Sequence, residues 1–121
     1  MIRLTLPATQ AAALAHGEAV RMRRAMEPQP MWISSPRPIS PNPVGATAFV
    51  AETYRAFDDG NCCYAADFPE ITAPFAERIW LPAAAMPESL ARTFARCVNV
   101  TVELRDGVWE WVEMWEAIEK P

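Results

Sequence analysis

The chain is poor in metal ligands: it has one histidine, three cysteines and no C-x-x-C spacing. A zinc site needs about four converging soft or imidazole ligands. His16, Cys62, Cys63 and Cys97 barely reach that number and are not spaced for it, so no metal is expected. Three thiols cannot all pair within one chain, and adjacent Cys62 and Cys63 would point to opposite faces of a strand. The expectation is reduced cysteines, buried or half-buried. No glycine-rich phosphate loop occurs. Ser34 and Ser35 have no histidine placed by a motif, which leaves a serine triad without support. No apolar run approaches the ~20 residues of a membrane-spanning helix. The stretch Met1–Pro7 carries one basic residue and a short apolar run broken by proline, unlike a secretory signal, so a cytosolic location is expected.

What is present suits one folded unit. A length of 121 residues matches a single domain over 1–121. A hydrophobic share of 51% with five tryptophans supplies a core and argues against disorder. The net charge of −4 is unevenly spread, being +3 over residues 1–40 and −7 over 41–121. A domain that grips long duplexes through phosphates is usually basic overall. Any nucleic-acid contact here is therefore expected to be local, around Arg21, Arg23 and Arg24.

Ile2, Leu4 and Leu6 alternate with polar residues and predict a first strand. The alanine-rich run that follows, ending before Gly17, predicts a helix over roughly Thr9–His16. Val20 and Met22 alternate with Arg21 and Arg23 in a second strand. Prolines at 28, 30, 36, 38, 41 and 43 predict a long surface loop over 28–43, with Trp32 pinning it or presented to a partner. Val44–Tyr54 reads as a strand, Asp58–Asn61 as a hairpin turn and Cys62–Ala66 as the returning strand. The residues from Asp67 to Ala84 read as irregular, with Trp80 as an anchor. Phe94, Val98, Val100, Val102 and Leu104 share even positions. After a D-G turn, Trp109, Trp111 and Trp115 share odd ones, which predicts a long closing hairpin. Both of its faces carry apolar residues, so each is expected to be covered, one of them either by a second copy of the chain in a homodimer or, equally, through barrel closure over helix packing.

Three stretches together resemble the ASCH family, of PUA-like fold, in its small phage-encoded form. The first is Leu14–Pro30, with its Gly17, the arginines of Arg21-Met22-Arg23-Arg24 and Pro28-Gln29-Pro30. The second is Val44–Tyr54, similar to the family's Gly-Asp-x-Leu-Trp-Val-Arg-Glu-x-Trp strand. The third runs from Trp80-Leu81-Pro82 through Met86-Pro87 and Ala91-Arg92 to the closing hairpin. The resemblance implies an α+β fold: a small mixed β-barrel with one or two short helices and a long proline-rich loop. It also implies a cleft associated with RNA or modified nucleosides.

Some members of that family are similar to amidohydrolases of acylated cytidine, using a lysine, a threonine and a loop acid. Here the matching positions hold Ala19 and Met22, which cannot relay a proton. The loop acid has no counterpart, and Ala46 and Ala51 replace the family's aspartate and arginine. The expectation is a non-catalytic domain with no cofactor. It would bind RNA, single-stranded nucleic acid or a nucleoside through Arg21, Arg23 and Arg24, with Trp32 or Tyr54 as a stacking surface. The alternative is an acidic phage protein that blocks a host defence or nucleic-acid-handling complex, through Asp58, Asp59, Asp67, Glu70, Glu110, Glu113 and Glu116. A residual nucleoside amidohydrolase is the second alternative.

Overall fold

The computed structural model describes residues 1–27, 29, 42–71 and 79–121. The chain begins with strand β1 (Ile2–Thr5) and helix α1 (Ala8–Ala15), followed by β2 (Val20–Ala25) and β3 (Thr47–Ala51). Short strands β4 (Tyr54–Ala56) and β5 (Cys62–Tyr64) come next, and the long pair β6 (Phe94–Arg105) and β7 (Val108–Ile118) closes it. Five strands form one sheet in the order β1-β3-β6-β7-β2, while β4 and β5 form a separate hairpin. Only β1 and β3 run parallel; the other neighbours are antiparallel.

Local chemistry explains several boundaries. Pro7 precedes α1, and its carbonyl accepts the Ala11 N–H at 2.9 Å, so the missing donor of proline costs nothing there. Gly17 then takes φ +85°. The Glu18 N–H bonds the Ala13 carbonyl at 2.9 Å and the Gly17 N–H bonds that of Leu14 at 3.0 Å. This double closure satisfies carbonyls that a helix end leaves open. At the hairpin tip Asp106 and Gly107 both have positive φ, 53° and 78°, the geometry of the two-residue turn that matches strand twist.

The core lies on both faces of the sheet at its β1-β3 end. On one face α1 brings Ala11 and Leu14 onto Leu4, Val20, Ala48, Val50, Ala95, Cys97 and Trp115. On the other, Phe49, Ala51, Tyr54 and Phe94 pack with Met86, and Ala83 and Leu90 join from the segment before β6. Because β3 is covered twice, four of its five residues are buried in an unbroken run.

Three expectations need correction. The sheet is open, with β1 and β2 as its edges, and no closed barrel occurs among the described residues. The strand expected over Val44–Tyr54 is two strands, interrupted at Glu52-Thr53. Val44 is exposed and lies in a turn that Gly45 makes at φ +94°. The single parity expected for β6 also fails, because the register shifts between Cys97 and Asn99. One extra residue flips the faces, so even-numbered Val100 joins odd-numbered Cys97 and Trp115 in the α1-side core while even-numbered Phe94 packs on the opposite side.

The closing hairpin, the D-G turns and the helix stop stand where the sequence places them. The three cysteines are free, with Cys97 buried and Cys62 and Cys63 half-buried. Trp80 sits 6.1 Å from Phe68, ring to ring. The proline-rich loop, apart from Gln29, Asn42 and Pro43, lies outside the described residues, as do Trp32, Ser34 and Ser35.

Candidate nucleic-acid interface

Strand β2 splits the arginine cluster by alternation. Its even residues Val20 and Met22 face α1, which puts Arg24 on that side and Arg21 and Arg23 on the open side. The three arginines therefore have three different surroundings.

Arg24, itself 41% exposed, reaches the edge of a buried network. Its Nη2 lies 3.5 Å from Oε1 of Glu113, a carboxylate with no exposure. Asn42 Nδ2 donates to both Glu113 oxygens, at 3.2 and 3.1 Å, and Trp115 Nε1 donates to Oε1 at 3.1 Å. A buried carboxylate is tolerable only with this kind of satisfaction. The group ties β2, β7 and the residue that re-enters before β3.

Arg23 is held by acids on the open face. Its Nη1 is 2.6 Å from Glu103 Oε2 and 3.8 Å from Glu110 Oε1. Arg105 Nε stands 3.0 Å from the same Glu110 oxygen. Glu103 and Glu110 are directly opposite in the β6-β7 register, a like-charge pairing that the two arginines offset.

Arg21 differs from both. Its guanidinium has no acidic partner among the described residues; Gln10 Nε2 reaches only its backbone carbonyl, at 3.3 Å. It lines a trough of about 150 Å³ with Asn99, Thr101, Glu103, Val112 and Met114, a volume on the scale of one aromatic ring. Register puts Arg21, Met114 and Asn99 in one row across β2, β7 and β6. Arg23, Val112 and Thr101 make the next row, and Ala25, Glu110 and Glu103 the third. The polar positions of β6 reach this face because of the register shift before Asn99. The apolar-parity reading of the sequence missed Asn99 and Thr101 for that reason.

Tyr54 takes no part. It is 5% exposed in the second core, and its hydroxyl donates to the Ala85 carbonyl at 3.1 Å, so it presents no ring face for stacking. Ala19 is exposed, and Met22 packs against the α1-side core across from Glu113. Neither supplies a proton-carrying group.

The acidic candidates do not form one surface. Asp58 and Asp59 are exposed in the β4-β5 turn. The Asn61 backbone and side-chain N–H groups bond Asp59 and hold its carboxyl below the usual range. Asp67 pairs with Arg92 at 2.7 Å, Glu70 is exposed nearby in sequence, and Glu116 is exposed on β7 across from Arg96. Glu110 is 8% exposed and Glu113 not at all, which removes both from any docking surface in this conformation.

The sequence reading also missed a second ion network. Arg92 donates Nε and Nη2 to the two oxygens of Glu52, each at 3.0 Å, and Nη1 to Asp67. Its guanidinium stacks 4.0 Å from the Tyr64 ring centre. Burial works against the Arg92 charge, but Glu52 and Asp67 outweigh it and hold the group above its ordinary pKa. Burial also pushes the Tyr64 phenol up, and the Cys62 thiol at 3.2 Å adds to the shift. Glu52 is thus a structural ion-pair partner.

Among the described residues no group of three or more His, Cys, Asp or Glu side chains is placed to hold a metal ion. No helix among them is long and apolar enough to cross a membrane. Comparison with protein-family models, curated proteins and solved structures returns no match.

Proposed function

We propose that this chain is a non-catalytic binding domain of ASCH-like type that takes single-stranded nucleic acid or a nucleotide on the open face of its sheet. One observation carries the reading. Arg21 is the member of the arginine cluster left without an acid, and it borders a trough that also offers an amide, a hydroxyl and an apolar floor. Single-strand recognition pairs basic groups on the backbone with stacking and polar contacts to the bases, and of these the trough supplies the guanidinium and the polar contacts. Ala19 and Met22 at the hydrolase-like positions support binding without turnover.

The narrow positive region sets the expected behaviour. Fluorescence polarisation with short labelled RNA and DNA strands should show binding at low salt. Its logarithmic salt slope should be about −0.7 to −1.4, the value for one or two phosphate contacts on a single strand. Binding that is absent, or indifferent to salt, contradicts the reading.

A second reading draws on the β4-β5 hairpin, where Phe57 is 46% exposed beside Asp58 and Asp59. An exposed aromatic next to acids suits a basic protein surface, as in blockade of a nucleic-acid-handling complex. Pull-down from host lysate separates the two: a stoichiometric protein lost on Phe57→Ala favours this reading, and recovered RNA favours the first.

A further inference from the structure

The trough is polarised, and the polarity narrows the ligand. Arg21 stands in its first row and Glu103 in its third, with Glu110 beside Glu103. Four residues of strand separate those rows, about 13 Å by strand rise, which is the scale of one nucleotide from phosphate to base edge.

The acidic end has acceptor capacity to spare. A carboxylate offers about four lone-pair sites and no donor, and the Arg23 contact on Glu103 Oε2 takes one of them. Glu110 is buried, held by Arg23 and Arg105, and lies outside the trough's lining, so Glu103 is the acid that faces a ligand. This end of the trough thus calls for N–H donors, and the Arg21 end for an anion.

Among nucleobases the best fit to an acceptor-only group is guanine, whose edge presents two adjacent N–H donors, at N1 and N2. Adenine and cytosine set a ring acceptor beside their amino group, and uracil flanks its single N–H with two carbonyls. On the nucleic-acid reading above, we infer that the trough seats one guanine nucleotide. The base edge lies on Glu103, the ring rests against Val112 and Met114, and the phosphate meets Arg21. Asn99 and Thr101 line the side between them.

The test compares short single strands that are uridine throughout except for one central G, A, C or U. Polarisation at low salt should show the guanine strand bound about tenfold tighter than the all-uridine strand, the discrimination expected of one good bidentate base contact. Glu103→Gln should erase that preference, because a flipped amide can donate to a uracil carbonyl. Glu103→Asp keeps the charge but shortens the reach, and should lose the preference as well. Equal affinity for all four strands, or full guanine preference in both variants, overturns the guanine seat while leaving the Arg21 reading intact. No binding of any strand by the wild-type chain overturns both.

Discussion

Arg24 and Arg21 sit three residues apart on one strand and end in opposite circumstances. On the α1 side, Arg24 meets a fully buried Glu113 that Asn42 and Trp115 also bind. On the open side, Arg21 lines a trough whose one acid, Glu103, is engaged by Arg23 and not by Arg21. The difference comes from strand alternation combined with what covers each face. The covered face must neutralise every charge it takes in, because an unpaired buried ion is costly. The open face can leave a cation to solvent and to ligands. A count of arginines cannot separate these cases. Arg23 lies between them: it is on the open face but occupied by Glu103 and Glu110.

The contrast breaks most visibly at Glu113. Glu113→Ala takes a shared acceptor from buried Trp115 Nε1 and Asn42 and leaves the part-exposed Arg24 to solvent, and should cost about 3 kcal/mol of stability in urea unfolding, at roughly 1–3 kcal/mol for each buried donor that loses its acceptor. Arg92→Ala tests the second network, leaving Glu52 at 3% exposure without either hydrogen bond. Its expected cost is about 2–3 kcal/mol by the same measurement. Gly107→Ala forces a side chain into φ +78° and should cost about 1–2 kcal/mol. Arg21→Ala, by contrast, should move stability by less than about 0.5 kcal/mol, because no described partner is lost.

Thiol chemistry sharpens the same division between covered and open regions. Burial pushes the Cys97 thiol up, and the nearby Glu113 carboxylate adds to it. A thiol-specific reagent should therefore label half-buried Cys62 and Cys63 first and reach Cys97 only on unfolding. The folded thiol holds its proton more tightly than the unfolded one. Its stabilising share is complete below about pH 8.5 and is lost as pH rises through the folded value.

How much of this was legible in the sequence depends on the range of the interaction. Features set by neighbouring residues could be read: the helix stop at Gly17, the D-G turns and the closing hairpin all follow from local backbone preferences. The strand break at Glu52-Thr53 and the shift at Cys97/Asn99 could not, because each is imposed by packing on two faces at once. The shift also concealed the trough, since it decides which face of β6 Asn99 and Thr101 occupy. Glu113 read as a surface acid because its neighbours Glu110 and Glu116 suggested a charged face. Its partners Asn42 and Arg24 lie 71 and 89 residues away. Arg92 and Glu52 are 40 apart, and no spacing rule links them.

The most direct measurement is the affinity of the Arg21→Ala chain for a short labelled single strand at low ionic strength. Its unfolding midpoint serves as the control for an intact fold. The expected result is a loss of roughly tenfold or more in affinity, the effect of removing a charge-assisted phosphate contact. An Arg21→Ala chain that binds as tightly as the wild type would contradict the account.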